Sequence, residues 1–413
     1  MHTLIKPFRA LRPAPGQAPA VAAPPYDVLN TEEARQRARG RPASFLHISK
    51  PEIDLPEGTD PYSPAVYAKG VENLQRLIAD GTLVRDEQPH YYIYQLRMGD
   101  HVQTGIGCVG SVVEYDRNRI RKHEFTRPDK EDDRVRQITA LNAQTGPVLL
   151  AYRSNPELKL IIQQHLQRPP AFETKADDGV CHTVWIVADR EQVSAITRIV
   201  DAMDSLYIAD GHHRSAAASR VAAARGQGNP RHSGDLDYNY FLCVAFPHDE
   251  MRILDYNRLV KDLNGFTPGD FLVRIAHQFT LTPVKGEARP SRAGQFGMYL
   301  GGQWYRLDIQ SGLVPKDPVA SLDVSLLQDH LLAPVLGIGD PRRDKRIDFV
   351  GGIRGLTELE RRVDSGEMAV AFAMFPTSLE ALMAVADANQ VMPPKSTWFE
   401  PKLADGLLSH VLD

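Results

Sequence analysis

An acid, a glycine, two imidazoles, a guanidinium and a hydroxyl stand next to one another in the chain, as Asp210, Gly211, His212, His213, Arg214 and Ser215. The apolar residues 206–209 before them predict a buried strand, and the alanine-rich residues 215–225 after them predict a helix. A helix N-terminus presents free backbone N–H groups and a partial positive charge, which suit an anion. The pattern therefore predicts an anion site at a strand-to-helix turn.

Each polar side chain of this turn has a chemical use. Arg214 can form two hydrogen bonds to one phosphate group. Asp210 is the only acid of the turn and can bind Mg²⁺ or accept a proton. The imidazoles of His212 and His213 can donate to phosphate oxygens or stabilise developing charge. The simpler alternative is that Asp210 caps the helix and that both histidines are solvent-exposed.

A second candidate cluster lies at residues 120–134, where both signs of charge are dense. Lys122 and Arg127 are candidate phosphate ligands, Glu124 is a candidate base or metal ligand, and His123 is a candidate substrate contact. The alternative is a salt-bridged helix start after Pro128, which we favour for residues 131–133. Strand ends in α/β sheets collect at one edge, so we expect Glu124 and the Asp210 turn to face one site.

Two proline-rich stretches supply further candidates. Asp27 follows two prolines that fix an extended approach, and it is either a substrate contact or a turn residue that satisfies its own backbone. Residues 391–402 form a proline-bounded loop with Lys395, Ser396 and Thr397. We expect these three to contact substrate, the alternative being a structural clamp at the end of the fold.

The residues ADGHHR and the alanine-rich helix after them resemble the phosphate-binding box of the ParB/sulfiredoxin superfamily. The variant with Asp and two His is similar to the box of archaeal free-serine kinases. The stretches PPYDV, SFLH, KPE, KHE-T-R and MPPKST-W-F-x-PK extend the resemblance to a large, mostly uncharacterised family of bacterial and archaeal proteins built around this box. The resemblance implies a nucleotide-binding core that takes ATP or ADP. The residues expected around the nucleotide are Gly211, His212, His213, Arg214, Ser215, Lys122 and Arg127.

The favoured function is a nucleotide-dependent phosphotransferase acting on a small hydroxylated metabolite, with free L-serine as the best candidate and O-phosphoserine as product. The catalytic candidates are Glu124, Asp210, His212 and His213. One acid would hold Mg²⁺, for which Asp210 is the candidate ligand, and the other would address the substrate hydroxyl; the sequence leaves open which does which. The alternative function is a ParB-like nucleotide-binding regulator without kinase activity.

Two other chemistries are not expected. A sulfiredoxin-type reductase needs a cysteine in the box, and position 212 is His. A zinc site is not expected because His212 and His213 are adjacent, which points their rings apart, and because His-x₃-His and Cys-x₂-Cys spacings are absent.

Composition limits the partners. The net charge of −4 argues against a general nucleic-acid binder. No apolar run is long enough to cross a membrane, and the N-terminal residues lack a signal-peptide core, so we expect a soluble cytoplasmic protein without a membrane partner. The expected partners are a nucleotide and a small-molecule substrate, with a homodimer left open. Cys108, Cys181 and Cys243 are expected to be free, buried thiols.

The alternation of apolar and helical segments predicts an α/β fold, α+β overall. We expect an N-terminal α/β region at residues 1–100, a ParB/sulfiredoxin-like core at 101–260 with the box, and a C-terminal α+β domain at 261–413. Residues 105–110 match GxGxxG by letter. We reject a dinucleotide site there because residues 111–115 are β-type, so that no helix is expected to follow. Residues 45–48 are also expected to form a strand.

Overall fold

The computed structural model describes residues 3–413 and has a mixed α/β fold in two compact units. One unit comprises residues up to 251 together with 401–413, and the other is Arg252–Glu400. Strand Tyr91–Met98 pairs with strand His101–Ser111 across the expected boundary at residue 100. The division into three domains stays a prediction, because compactness alone does not show which segments fold independently.

The first unit is built on a nine-stranded mixed sheet. Two neighbouring pairs are parallel, namely Ile120–Arg121 with Leu206–Asp210 and Val148–Tyr152 with Tyr240–Pro247. Tyr240–Pro247 is buried at every position, which explains its continuous apolar sequence. The order across the sheet is Ile120–Arg121, Leu206–Asp210, Val148–Tyr152, Tyr240–Pro247, His101–Ser111, Tyr91–Met98, Cys181–Val187 and Phe172–Lys175, with Ile5–Lys6 beside His101–Ser111.

Helices pack against this sheet and bury their apolar faces on it. Side chains from both layers, including Leu150, Ile208 and Ile196, share one apolar core. The helices that line this core are Val112–Asp116, Pro128–Leu141, Pro156–Leu166, Arg190–Asp201 and His212–Gly228. The helices Ala18–Val21, Thr31–Ala38, Leu46–Ser49 and Pro64–Ala79 share a second apolar core with Leu11 and Leu83. Short 3₁₀ turns occur at Tyr26–Val28, Pro51–Asp54, Asp237–Asn239 and His248–Glu250, and small ladders pair Leu11–Pro13 with Leu83–Arg85 and Ala143–Gln144 with His410–Val411.

The second unit is built on a six-stranded antiparallel sheet. Gly301 and Gly302 have positive φ at the tip of the hairpin that the sequence predicts there. The strand order is Phe279–Val284, Gln303–Ile309, Gln295–Leu300, Val370–Ala373, Tyr256–Val260 and Ile347–Gly351. The other elements are the helices Pro268–Ile275, Asp323–Leu327, Thr357–Asp364 and Leu379–Asp387, the π-helix Gln328–Leu332, the 3₁₀ turns Ser311–Leu313 and Gly352–Arg354, and the ladder of Ile253–Leu254 with Trp398–Phe399.

Two local predictions are wrong. Residues 45–48, expected as a strand, lie largely in the helix Leu46–Ser49, and residues 111–115 enter the helix Val112–Asp116. Ser111 explains the second case, because its side chain accepts a hydrogen bond from the N–H of Glu114 and caps the helix. Both segments are short and apolar, a pattern that does not distinguish a buried strand from a buried helix.

Two further features are the state of the three cysteines and the length and polarity of the helices. Cys108 and Cys243 are free and buried, with their Sγ atoms 3.4 Å apart across neighbouring strands. Cys181 is also free but only half-buried, so the expectation of burial is wrong for it. Among the described residues, every helix is too short or too polar to pass through a bilayer.

The glycines of the GxGxxG match lie inside strand His101–Ser111 rather than in a turn. A dinucleotide site therefore stays rejected, although a helix does follow, contrary to expectation. A Cβ at Gly105 would lie 2.6 Å from the Ala245 carbonyl oxygen, and one at Gly107 would lie 2.8 Å from a Leu408 methyl carbon. These glycines permit close packing between neighbouring segments.

We predict that Gly105→Ala lowers the free energy of unfolding by about 1–3 kcal/mol, because the added methyl meets backbone on the next strand. The matched control is Gly228→Ala, where an added Cβ points into open space and should leave the free energy of unfolding nearly unchanged. Urea unfolding of both variants measures the difference. Equal stability of the two variants would show that the strand contact is not tight.

Candidate functional site

The turn at residues 210–215 is shaped by a bulge and a left-handed glycine. Ile208 pairs with Leu150 and Asp210 pairs with Leu149, so one extra residue is accommodated before the turn. Gly211 has φ 101° and ψ 27°, and a Cβ there would lie 3.1 Å from Arg214 Nε. Helix His212–Gly228 begins without a side-chain cap, so the alternative that Asp210 caps it is wrong.

The helix start leaves backbone donors available. The N–H groups of Arg214 and Ser215 donate to the Gly211 carbonyl at 2.9 and 3.1 Å. The N–H groups of His212 and His213 donate to no residue in the described part of the chain. Ser215 Oγ turns back to the His212 carbonyl at 3.1 Å. Two adjacent N–H groups thus remain for an anion at the positive end of the helix.

Both histidines of the turn hold the loop that contains Glu124. Parallel pairing of Leu206 with Ile120 brings that loop beside the turn. The N–H of His123 donates to His212 Nε2 at 3.4 Å, and the N–H of Arg127 donates to His213 Nε2 at 3.0 Å. A ring nitrogen that accepts carries no proton, so each neutral ring has its proton on Nδ1. The alternative of two solvent-exposed histidines is wrong for His212, which is 4% exposed.

The imidazoles of His123 and His212 form a buried, uncharged pair. Their rings meet edge to face with centroids 4.5 Å apart. Burial lowers the pKa of His123 to about 4. Burial, and after it repulsion from His123, hold the pKa of His212 well below its usual value. Glu124 Oε2 lies 3.9 Å from His212 Nδ1, and its side chain is half exposed.

Asp210 is ionised because two cations surround its carboxylate. Lys402 Nζ lies 3.0 Å from Asp210 Oδ2. An Arg214 guanidinium nitrogen lies 3.8 Å from the same oxygen. Burial alone would raise the pKa of Asp210, but these two charges hold it well below its usual range.

Lys402 belongs to the same compact unit as the turn. The sequence did not predict Lys402 as a site residue. The only signal was its place in the PK pair that ends the MPPKST stretch.

The side chain of Arg214 points into the protein interior. Its guanidinium donates to the Pro147 carbonyl, and its side chain is only 11% exposed. Burial would lower the pKa of Arg214, whereas the charges of Asp210 and Asp27 raise it. Asp27 is exposed on the 3₁₀ turn Tyr26–Val28, and its charge reaches Arg214, so the structure brings this predicted residue to the neighbourhood of the turn.

A small cavity of about 30 Å³ lies beside Arg214, with room for one or two water molecules. Asp405 lines it, is 1% exposed, and has one carboxylate oxygen without a hydrogen bond in the described structure. Burial raises the pKa of Asp405 to about 7. The guanidinium of Arg134 stacks 3.8 Å from the centre of the Tyr26 ring on the same lining. None of these three residues was predicted as a site residue, although Tyr26 lies in the PPYDV stretch and Arg134 in the charged cluster at residues 120–134.

The remaining predicted phosphate ligands have partners of their own. Lys122 Nζ lies 4.1 Å from the centre of the Tyr115 ring. The Arg127 side chain is 70% exposed and donates to Asp129 at 2.9 Å, while its backbone meets His213. A phosphate-binding role for Lys122 and Arg127 stays a prediction.

Lys395, Ser396 and Thr397 lie in the second unit, where local hydrogen bonds shape their loop. Lys395 has φ 60°, and its carbonyl accepts from Arg258 at 2.9 Å. Ser396 Oγ donates to the Pro393 carbonyl at 2.6 Å, and the Ser396 carbonyl accepts from Thr377 Oγ1 at 2.9 Å. Substrate contact by the three residues stays a prediction.

We predict that Lys402→Met raises the pKa of Asp210 towards its ordinary value, because the nearest counter-charge is removed. The matched control is Lys402→Arg, which keeps a cation and should change that pKa less. In the wild type a lowered pKa stabilises the fold above about pH 4, and that stabilisation is lost as the pH falls below it. Carboxyl ¹³C NMR measures the titration. An unchanged Asp210 pKa in Lys402→Met would contradict this.

Several solved structures resemble the chain loosely. A free serine kinase in complex with AMP is 14% identical, with 71% of this chain and 86% of that chain covered and a TM-score of 0.35. A conserved hypothetical protein from Pyrococcus furiosus is 12% identical, with 74% and 95% covered and a TM-score of 0.36. SbnI with a C-terminal truncation, from Staphylococcus aureus, is 11% identical, with 73% and 86% covered and a TM-score of 0.37.

No curated protein sequence matches the chain significantly. The family described as "Protein of unknown function (DUF1015)" matches residues 5–325, which is more than half of the chain. The protein therefore belongs to the DUF1015 family.

Proposed function

We propose that the protein is a nucleotide-dependent phosphotransferase acting on a small hydroxylated metabolite, with ATP or ADP as donor and free L-serine as the best candidate acceptor. The observation that carries this proposal is the pair of unpartnered N–H groups on His212 and His213, directly beside the loop with Glu124. Phosphate oxygens would accept from these groups at the helix N-terminus, in the manner of a ParB/sulfiredoxin-like box.

The two acids differ in their surroundings, and this difference supports an assignment of their roles. Asp210 already has Lys402 and Arg214 against its carboxylate, which makes it a weak base. Glu124 has a half-exposed side chain at the site, so its carboxylate can reach a bound hydroxyl. We assign Glu124 as the base and Asp210 as the residue that holds Lys402 and Arg214 around the turn.

In the proposed reaction the acceptor hydroxyl oxygen attacks the terminal phosphorus of the nucleotide. The bond from that phosphorus to the nucleotide breaks, and the hydroxyl proton passes to Glu124. The N–H groups of His212 and His213 hold the phosphates, so most of the rate gain comes from positioning and charge stabilisation. Mg²⁺ would neutralise phosphate charge when bound; because Asp210 already meets two cations, Mg²⁺ fits this chain better as a partner of the nucleotide than as a resident ion.

We predict that Glu124→Gln lowers turnover by about 100-fold or more and leaves nucleotide affinity and melting temperature close to the wild type. The matched control is Glu157→Gln, an exposed glutamate on helix Pro156–Leu166, which should leave all three unchanged. A coupled assay measures turnover, calorimetry measures nucleotide affinity, and thermal melting gives the melting temperature. A lower melting temperature with normal turnover would make Glu124 structural. Nucleotide binding with no transfer to any hydroxyl acceptor would favour the regulator without kinase activity.

We predict that Arg214→Ala weakens nucleotide binding roughly 30-fold, because a guanidinium beside the phosphate position and the support of the Gly211 turn are both lost. The matched control is Arg220→Ala on the same helix, whose side chain is 46% exposed and pairs with Glu131. Calorimetry with ATP and ADP compares the two. Equal affinities for both variants and the wild type would place the phosphates elsewhere.

A further inference from the structure

We infer that His123, Glu124 and His212 form a binding site for one divalent transition-metal ion. One possible ligand atom from each of these residues lies within 4.8 Å of the other two. Residues 123 and 212 are 89 positions apart, and the parallel pairing of Ile120–Arg121 with Leu206–Asp210 brings them together. This site does not depend on the proposed phosphotransferase activity.

The buried ring of His123 supports this site independently of the distances between the ligand atoms. Its side chain is 2% exposed, and neither of its ring nitrogens makes a hydrogen bond within the described residues. The Ile208 backbone lies near enough to favour the charged ring, but outside hydrogen-bond geometry. Leaving a buried polar group unpartnered costs free energy, so natural structures rarely tolerate it without a reason. An ion on one ring nitrogen would satisfy that nitrogen, while the other keeps the ring proton.

His212 can release its lone pair at low cost. Its Nε2 accepts from the N–H of His123 at 3.4 Å, which is long for a hydrogen bond between nitrogen atoms. A neutral imidazole has a single lone pair, so an ion bound at Nδ1, the nitrogen that faces Glu124, shifts the ring proton to Nε2 and replaces this long contact. The two rings already meet edge to face with centroids 4.5 Å apart, and one nitrogen of each lies within 4.8 Å of the other.

The carboxylate of Glu124 completes the ligand set. Its Oε2 is 3.9 Å from His212 Nδ1. An ion about 2.1 Å from each ligand holds neighbouring ligand atoms roughly 3.0–3.5 Å apart, so this pair must close by about half an ångström. The three ligand atoms lie within 4.8 Å of one another, so the other pairs must close by less than about 2 Å. The half-exposed Glu124 side chain can rotate to supply this closure. If it binds through one oxygen, the other remains able to accept a proton.

The donor set indicates the class of metal. Two imidazole nitrogens and one carboxylate suit Zn²⁺, Co²⁺, Mn²⁺ or Fe²⁺, whereas Mg²⁺ prefers an all-oxygen environment. Three protein ligands also leave at least one open position, as in catalytic rather than structural zinc sites. The expectation of no zinc rested on the adjacent pair His212 and His213; here the second imidazole comes from His123, in a distant part of the sequence.

The test uses the full chain without an affinity tag, freed of metal by a chelator and measured without nucleotide. We expect calorimetry to give about one Zn²⁺ per chain, and Co²⁺ to give visible absorption bands that Zn²⁺ removes and millimolar Mg²⁺ does not. His123→Ala and Glu124→Gln should each weaken Zn²⁺ binding by about 100-fold or more. His165→Gln is the matched control, because His165 is also buried with an unpartnered nitrogen but lies on helix Pro156–Leu166.

Absence of stoichiometric Zn²⁺ binding, or binding that survives both His123→Ala and Glu124→Gln, would overturn the inference. Loss of binding in His165→Gln as well would place the ion elsewhere and overturn it too. Glu124→Gln keeps the test decisive if His123→Ala fails to fold, since the Glu124 side chain is half exposed. Because no nucleotide or acceptor is present, failure here leaves the phosphotransferase proposal standing, and failure of phosphotransfer leaves the metal site standing.

Discussion

The parallel pairing of Ile120–Arg121 with Leu206–Asp210 is the constraint on which the candidate site depends. It places two loops, distant in sequence, at one edge of the sheet. The N–H of His123 and the N–H of Arg127 then meet the rings of His212 and His213. The two histidines of the turn thus join the loops, while their own N–H groups stay available to a ligand. Without this pairing Glu124 would have no fixed relation to the helix start.

Charge compensation is the second condition for the site. Asp210 lies at the end of a buried strand, where an isolated carboxylate would be strongly disfavoured. Lys402 and Arg214 make its ionised form stable, and Arg214 is fixed in turn by the Pro147 carbonyl. The positive end of the helix and two cations therefore surround one acid at this turn.

The elements easiest to predict from sequence are those whose ends carry a local signal, such as a capping residue or a proline. Helix Pro156–Leu166 carries such signals, since Asn155 caps it and a proline begins it. The helix after Gly211 was predicted, although it begins at His212 rather than at residue 215. Where a short apolar segment had no distinguishing signal, as at residues 45–48 and 111–115, the prediction was wrong.

The contacts that build the site from distant segments could not be predicted. Lys402 meets Asp210 across 192 positions, and His123 meets His212 across 89. Neither pair has a local sequence pattern. The pairing of Ile120–Arg121 with Leu206–Asp210 brings His123 to His212, and Lys402 comes from the segment 401–413 of the same compact unit. The sequence did predict that Glu124 and the turn face one site, from the general rule that strand ends gather at a sheet edge.

The central claim is that nucleotide phosphate binds the N–H groups at the start of helix His212–Gly228. The most direct measurement is a titration of ¹⁵N-labelled protein with ADP and with ATP, followed by NMR of the backbone amides. We expect the amide signals of Gly211, His212 and His213 to shift together, with a single dissociation constant, and adenosine without phosphates to leave them unmoved. Saturable binding that shifts amides elsewhere while these three stay in place would contradict it.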